Sequence, residues 1–207
     1  MTNIDFNMDI KPIIAEALQV LKDGGVILYP TDTVWGIGCD SRNAEAVEKV
    51  FKIKRRSDAK SLILLASDLD MVAKHVKEIP SIAIDLVEVN DKPMTIIYPE
   101  GQYLAENVLA EDGSVGIRIP YSDEEQRPED GGGAFCKELV KRLRAPLVST
   151  SANISGEDTP ECFKEISEEI ISAVDYVVPK QLERGSTGRS SQILKVGLGG
   201  EIEILRP

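Results

Sequence analysis

A concentration of positive charge is the feature of this sequence that most directly predicts chemistry. Residues 52–60 hold five cationic side chains, although the whole chain has a net charge of -11 at pH 7. Such a concentration against an acidic background indicates a local anion site rather than a broad basic surface. Residues 149–153, Ser-Thr-Ser-Ala-Asn, supply hydroxyl and amide groups that can hydrogen-bond phosphate oxygens or the edge of a base. Together the two segments predict a site for a polyanionic small molecule such as a nucleotide.

The composition limits the fold, the compartment and the partners of the chain. Its 207 residues, 42% of them hydrophobic, suffice for the core of one domain. A pI near 4.7 disfavours long-range attraction to nucleic acid, so any RNA contact would be local or mediated by a partner. The first residues lack the basic and apolar regions of a signal peptide, and no apolar run reaches the ~18 residues of a membrane helix. We therefore expect a cytoplasmic protein with no membrane contact.

The cysteines and the single histidine predict neither a metal centre nor a nucleophile. Cys39, Cys136 and Cys162 are widely spaced and form no Cys-x-x-Cys pair, so we expect free thiols rather than disulfides or a zinc site. His75 is predicted to lie on a solvated helix face without a catalytic role. The sequence lacks a P-loop, and the Gly-Ile-Gly run at 36–38 lacks the third glycine of a dinucleotide fingerprint. No metal-binding residue is predicted.

Hydrophobic periodicity and turn residues predict an α/β domain built on a twisted, mixed sheet. Apolar residues from Ile10 to Leu21 recur at helical spacing, and residues 26–29 form a buried strand. After a loop over residues 30–42, Asn43 is predicted to cap a second helix, whose carboxyl end leads into the cationic segment. Further strands are predicted at 61–66, 94–98, 115–119, 146–149, 176–178, 192–196 and 202–205. Further helices are predicted to begin at Leu69, Ser81, Ala134 and Thr159, and the last of them is predicted to end at Ser172. The acidic, glycine-rich residues 121–133 are predicted to form a mobile surface loop.

Five segments form an ordered pattern that is more specific than any one of them. They are Tyr29-Pro-Thr-Asp-Thr-Val-Trp-Gly-Ile-Gly-Cys-Asp40, Lys54-Arg-Arg56, Val115-Gly-Ile-Arg-Ile-Pro120, Leu147-Val-Ser-Thr-Ser-Ala-Asn-Ile-Ser-Gly156 and Leu205-Arg-Pro207. In this order they strongly resemble the YrdC-like family, whose type enzymes are threonylcarbamoyl-adenylate synthases. The resemblance implies a tail over residues 1–10 and one YrdC-like domain over residues 11–207. It also implies a mostly mixed or antiparallel sheet, flanked by helices, with a concave nucleotide-binding cleft.

The resemblance implies a reaction with three substrates. L-threonine, bicarbonate and ATP would be joined to threonylcarbamoyl-AMP with release of pyrophosphate, and Mg2+ would accompany the triphosphate. The product would pass to a downstream threonylcarbamoyl transferase complex that modifies the adenosine beside the anticodon of certain tRNAs. The implied activity is that of a nucleotidyltransferase acting in tRNA modification.

Four residues match the Lys-x-Arg and Ser-x-Asn tetrad that marks the nucleotide site of the family, namely Lys54, Arg56, Ser151 and Asn153. Attack of a carbamate oxygen on the α-phosphorus requires charge stabilisation and in-line positioning more than a strong base. Lys54 and Arg56 are therefore predicted to be catalytic as well as nucleotide-binding, with the arginine fork holding two oxygens. Ser151 and Asn153 are predicted to bond the nucleotide.

Further residues complete the site that the resemblance implies. Thr31 and Thr33 follow the first strand and are predicted, with Tyr29, to bind threonine, while Trp35 could form a wall of the same pocket. Thr150 is predicted to turn the end of its strand towards the pocket. Additional nucleotide contacts are predicted for Arg118, Ser149, Ser190 and Arg206, with Arg189 as a possible extra phosphate ligand.

Ordinary structural roles remain open for these residues when each is taken alone. Lys54 and Arg56 could simply favour the carboxyl end of a helix through its macrodipole. Single hydroxyl groups generally serve in loops and caps. Tyr29 and Trp35 could belong to the core, and Arg118 could lie on the exposed face of a strand. Only the joint order of the residues favours the functional interpretation.

The sequence departs from the family pattern at three places. Arg55, Ser57 and Ser61 stand where the family commonly has a glycine and two prolines, so a more mobile loop is expected. Residues 65–66, Leu-Ala, occupy the position of a histidine found in many members. The resemblance therefore implies the use of ATP more directly than it implies specificity for threonine. Residues 189–191 replace a frequent Pro-Ser-Thr run.

Two other functions remain open. The first is that of the YciO-like branch of the same fold, whose members lack the tetrad and whose role is less clear. The second is a non-catalytic module in which residues 52–60 grip double-stranded RNA or tRNA, a contact that the overall acidity opposes. Measuring tRNA binding beside ATP turnover would separate such a module from a synthase.

Overall fold

The structure, a computed structural model, describes residues 9–56, 62–123 and 125–207. Most of the predicted amino-terminal tail therefore lies outside the described residues, and so does the last part of the cationic segment, residues 57–61. The tetrad and the other predicted site residues all fall within the described ranges.

The α-helices begin and end at capping signals that the sequence contains. Asn43 caps α2 as predicted, because its side-chain oxygen accepts a hydrogen bond from Ala46 N at 3.1 Å. The same helix ends before Arg55, which adopts the left-handed conformation with φ 53°. The helices of the described residues are α1 (Ile10–Lys22), α2 (Ala44–Lys54), α3 (Leu69–His75), α4 (Ser81–Val89), α5 (Gly132–Leu143) and α6 (Glu168–Ala173). None of them combines the length and the apolar character that crossing a membrane requires.

One mixed sheet forms the centre of the fold. Its strands are β1 (Ile27–Tyr29), β2 (Gly36–Gly38), β3 (Ile63–Leu65), β4 (Met94–Tyr98), β5 (Val115–Arg118), β6 (Leu147–Ser151), β7 (Tyr176–Val177), β8 (Gln192–Val196) and β9 (Ile202–Arg206). The strand order is β7-β1-β2-β6-β3-β5-β4-β8-β9. The pairs β1/β7, β3/β5 and β4/β8 are parallel, and the other neighbours are antiparallel. This arrangement confirms the predicted α/β class with a mixed sheet.

Helices pack on both faces of the sheet, although the edge strand β9 is exposed along its whole length. Consecutive strand residues such as Leu64 and Leu65 belong to different apolar clusters, because side chains alternate between the two faces. The helices α1 and α5 cover one face, whereas α2, α3, α4 and α6 contribute to the cluster on the other. Burial on both faces explains why β1 and β3 are short, unbroken apolar runs in the sequence.

The predicted loop over residues 30–42 contains a strand, and the expectation of a continuous loop is wrong. The sequence of β2, Gly-Ile-Gly, has low strand propensity, yet this strand pairs with both β1 and β6. A Cβ atom on residue 38 would lie 2.0 Å from Val148 O. The close approach of the neighbouring strand therefore selects glycine over a better strand former.

The predicted surface loop over residues 121–133 is also different in the structure. Its last glycines are buried, and α5 begins at Gly132 rather than at Ala134. A Cβ atom on Gly132 would lie 2.5 Å from Thr31 O, so the start of the helix packs directly on the backbone of the turn after β1. The glycines serve this close packing rather than surface mobility.

The helix predicted from Thr159 to Ser172 is much shorter. The chain forms a 3-10 turn at Phe163–Glu165, and α6 begins only at Glu168. Ser167 sets this start, since its hydroxyl oxygen accepts a hydrogen bond from Ile170 N at 3.4 Å.

The histidine and the cysteines are dispersed through the fold. His75 is buried, so its predicted place on a solvated face is wrong. Its Nδ1 atom lies 3.3 Å from Gln102 O. Burial lowers the pKa of its imidazole. All three cysteines are free thiols as predicted, with Cys39 and Cys136 buried and Cys162 partly exposed. In the described parts of the chain, no three His, Cys, Asp or Glu side chains are grouped so that they could hold a metal ion.

Candidate functional site

A cavity of about 410 Å³ lies among β2, β4, β5, β6 and the carboxyl end of α2. Its volume is within the range of pockets that take small molecules and cofactors. Most of the residues predicted from the sequence line it, although they come from distant parts of the chain. These are Thr31, Thr33, Trp35, Lys54, Arg56, Arg118, Ser149, Thr150, Ser151, Asn153, Ser190 and Arg206.

Lys54 joins the two halves of the predicted tetrad. Its ammonium donates hydrogen bonds to Ser151 O at 2.6 Å and to Asn153 O at 2.5 Å. Longer contacts of 3.3 Å and 3.5 Å reach Asn153 Oδ1 and Ser151 Oγ. In return Lys54 O accepts a bond from Ser155 N at 3.1 Å. The last turn of α2 and the segment after β6 are therefore held together, although 97 positions separate Lys54 from Ser151.

The environment of Lys54 disfavours its positive charge. The residue is only 2% exposed, which excludes a solvated charge at a helix end. Burial lowers the pKa of the ammonium to about 8, and the positive charge of Arg56 adds to this effect, while Glu157 opposes it. An anion in the cavity would restore the preference for the charged form.

The left-handed residue at the end of α2 separates the cations of this segment. Arg56 lines the cavity, and its guanidinium lies over the ring of Phe51, 6.0 Å from the ring centroid. Arg55 is instead exposed and forms an ion pair with Glu169. Lys52 is also exposed. Two of the four described cations of residues 52–56 thus face the cavity and two face solvent.

Thr31 and Thr33 form a hydroxyl network in the turn that joins β1 and β2. Thr31 Oγ1 donates to Val34 O at 2.8 Å and accepts from Thr33 N at 2.9 Å. The two hydroxyl oxygens lie 2.8 Å apart. Because the single hydrogen of Thr31 Oγ1 is used by Val34 O, the hydroxyl of Thr33 donates in this contact. Both side chains are thereby oriented before any ligand binds.

Arg118 is buried beside this turn, so the alternative of an exposed strand residue is wrong. Its guanidinium forms an ion pair with Asp32 and donates from Nη2 to Thr33 Oγ1 at 3.3 Å. Sequence reasoning assigned no role to Asp32. A signal was present, since Asp32 is the single charged residue between Tyr29 and Cys39 and stands between two predicted site residues.

The carboxyl-terminal strands close another side of the cavity. Arg206 Nε donates to Ser191 O at 2.7 Å, and the hydroxyls of Ser191 and Thr95 lie 2.8 Å apart. Burial lowers the pKa of Arg206, and the positive charge of Arg118 lowers it further. Thr95 and Ser191 were not predicted; for Ser191 the adjacent Ser190 was the available signal, whereas Thr95 lies inside an apolar strand that gave none.

The two aromatic residues predicted near threonine have different positions. Tyr29 lies in the core and does not line the cavity; its hydroxyl donates to Val148 O at 3.4 Å, and burial raises its pKa. Trp35 does line the cavity. Its Nε1 donates to Glu183 Oε1 at 2.9 Å, and its ring is tilted against Phe163 with centroids 4.9 Å apart. The predicted threonine contact of Tyr29 therefore does not agree with its place in the fold.

Comparison with known families places the chain among its relatives. A family model described as telomere recombination, which covers Sua5, YciO and YrdC sequences, matches residues 19–207. The chain belongs to the Sua5/YciO/YrdC family. This membership confirms the resemblance on which the site was predicted.

Solved structures of the Sua5/YciO/YrdC family share the fold at low identity. A variant of Sua5 from P. abyssi is 22% identical with a TM-score of 0.77, and the match covers 94% of this chain and 56% of that one. Sua5 from P. abyssi complexed with L-threonine is 22% identical with a TM-score of 0.75, and the match covers 88% of this chain and 50% of that one. YciO from E. coli is 20% identical with a TM-score of 0.72, and the match covers 94% of this chain and 88% of that one. This chain thus spans about half the length of the Sua5 chains.

Proposed function

We propose that this member of the Sua5/YciO/YrdC family is an L-threonylcarbamoyladenylate synthase. It would form threonylcarbamoyl-AMP, pyrophosphate and water from L-threonine, bicarbonate and ATP, with Mg2+ entering on the triphosphate. The observation that carries the proposal is the bonding of Lys54 to the Ser151 and Asn153 segment, which assembles the tetrad on the wall of one cavity. A Sua5 structure of the same fold is complexed with L-threonine, which favours this amino acid as a substrate.

The charges around the cavity suit a reaction among anions. The triphosphate, the carboxylate of threonine and bicarbonate repel one another, and cationic side chains offset this repulsion most effectively where water is excluded. Lys54, Arg56, Arg118 and Arg206 all line the cavity. Their joint role would be to draw the α-phosphorus and the carbamate oxygen together in line.

The members of the tetrad would have different tasks. The planar guanidinium of Arg56 can bind two phosphate oxygens at once. Lys54 has three N–H groups, and two of them already hold backbone carbonyls, so its main task would be to place the Ser151 and Asn153 segment. Ser151 and Asn153 would then bond the nucleotide from this fixed segment, while Thr31 and Thr33 would contact threonine.

Pyrophosphate release from ATP with bicarbonate and each amino acid in turn tests the proposal. We expect threonine to give the highest rate, and omission of bicarbonate to abolish it. Arg56→Ala should lower kcat/KM by about 100-fold or more, because it removes a charge at the transferred phosphate. Lys52→Ala removes an exposed cation of the same helix end and is the matched control, with kcat/KM within about twofold of the parent. Near-normal turnover by the Arg56 variant would refute the assignment.

A role like that of YciO is the second candidate, because YciO from E. coli shares the fold of this chain with a TM-score of 0.72. This alternative predicts no pyrophosphate release with any amino acid, so the same assay decides between the two.

A further inference from the structure

Asp32 is a buried carboxylate that lies behind the wall of the cavity. It is 3% exposed and does not itself line the cavity. One carboxylate oxygen accepts from Arg118 Nη1, and the other accepts from Tyr121 N at 2.8 Å. Asp32 therefore connects the turn after β1 with the carboxyl end of β5, and both of its oxygens are occupied by protein donors.

The guanidinium held by Asp32 has one nitrogen atom without a hydrogen-bond partner among the described residues. Arg118 is 2% exposed and lines the cavity. Nη1 and Nη2 are bonded to Asp32 and Thr33, but in the described part of the chain Nε is buried without any hydrogen-bond partner. A buried donor without an acceptor is costly, so native structures seldom keep one unless a ligand or water completes it.

The charge of Asp32 matters because other cations are near. Burial lowers the pKa of Arg206, and the positive charge of Arg118 lowers it further, as expected for two neighbouring guanidiniums. Burial also lowers the pKa of Lys137 in α5, and the negative charge of Asp32 opposes this effect. Without Asp32, Arg118 would lose its fixed partner and would be repelled by Arg206.

We infer that Asp32 is a positioning residue for Arg118. It holds the guanidinium in one orientation, with the nitrogen atoms Nη1 and Nη2 bonded to protein and Nε left for an anionic oxygen of the ligand. Asp32 acts only through Arg118 and makes no ligand contact of its own. The identity of the anion, a phosphate of ATP, rests on the proposed function.

The test is a double-mutant cycle on ATP affinity, since affinity does not depend on turnover. Trp35 is the single tryptophan and lines the cavity, so its fluorescence can report ATP binding. We expect Asp32→Asn to weaken ATP binding about tenfold and Arg118→Gln to weaken it at least as much. The double variant should bind ATP as Arg118→Gln does, within about twofold, because the two residues act as a unit. Asp40→Asn, which removes a carboxylate paired with Arg42, is the control and should leave the affinity unchanged.

Two results would overturn the inference. If the losses of ATP affinity caused by the two single substitutions multiply in the double variant, Asp32 acts through another contact, such as its bond with the backbone of Tyr121. Unchanged affinity in Asp32→Asn would show that Arg118 needs no partner. Wild-type protein that binds ATP but releases no pyrophosphate would refute only the proposed reaction, whereas absence of ATP binding would refute both.

A second variant keeps the test decisive if Asp32→Asn does not fold. Asp32→Glu preserves the charge and lengthens the side chain by one methylene, so the ion pair can persist in a shifted position. We expect this variant to fold and to bind ATP several times more weakly. Full ATP affinity in Asp32→Glu would overturn the positioning role, since charge alone would then suffice.

Discussion

Lys54 holds two carbonyl groups in a place where burial opposes its own charge. Its ammonium bonds Ser151 O and Asn153 O, and burial together with Arg56 lowers its pKa to about 8. An ordinary lysine stays charged far above neutral pH, but this one loses its proton as the pH rises through about 8. The attraction of this site for phosphate should therefore be pH-dependent in a range that is accessible to experiment.

We predict that the affinity for ATP falls as the pH rises from about 7 to about 9.5, because Lys54 loses its positive charge in this interval. The dissociation constant, followed by the fluorescence of Trp35, should increase severalfold. Lys54→Arg is the matched comparison, since a guanidinium remains charged throughout. This variant should bind ATP more weakly than the parent but with no dependence on pH. A constant affinity of the wild-type protein over the interval would contradict the prediction.

At the scale of elements, β2 determines how closely the strands of the site can approach. This strand lies between β1 and β6, with Ile37 opposite Thr150 and Gly36 opposite Ser151. A Cβ atom on Gly38 would lie 2.0 Å from Val148 O and 3.0 Å from Tyr29 Cε1. Since backbone atoms cannot move aside as a flexible side chain can, the strand tolerates no side chain at this position.

Gly38→Ala should destabilise the fold, because β2 and β6 must separate to accept the methyl group. We expect a loss of about 1–3 kcal/mol in the free energy of unfolding, measured by urea denaturation. Gly116→Ala in β5 is the control: the nearest atoms would lie 3.5 Å from its Cβ, which is ordinary contact, so its stability should be unchanged or slightly higher. Equal stability of Gly38→Ala and the parent protein would show that the strands separate without cost.

At the scale of the whole molecule, positive charge is concentrated in the cavity while the protein is acidic. The net charge is -11, yet Lys54, Arg56, Arg118 and Arg206 all line one cavity. This distribution can attract a small anion that enters the cavity. A long polyanion such as RNA, in contrast, must also approach the acidic remainder of the surface.

We therefore predict weak binding of tRNA at physiological salt, with a dissociation constant above about 1 μM, measured by filter binding. A DNA duplex of similar length is the control and should bind equally weakly. Tight, salt-sensitive binding of tRNA without any turnover of ATP would instead support the RNA-binding module that the sequence left open.

Local signals made much of the fold predictable from the sequence. Apolar periodicity located α1 and α2, Asn43 marked a cap, and β4 was predicted with the bounds that the structure shows. The predictions failed where contact with a distant segment outweighed local preference. Residues 36–38 form a strand because they pair with both β1 and β6, and Gly132 is in a helix that packs on the backbone of Thr31.

The sequence by itself identified the tetrad and most of the other predicted residues that line the cavity, since the Lys-x-Arg and Ser-x-Asn spacings and the ordered segments are properties of the chain. Only the tertiary structure decided how these residues meet. It buried Lys54 against the segment after β6, placed Tyr29 in the core and paired Arg118 with Asp32. The physical reason is that burial, pKa and ion pairing depend on distances between segments far apart in sequence, and these distances are set by the packing of the sheet and its helices.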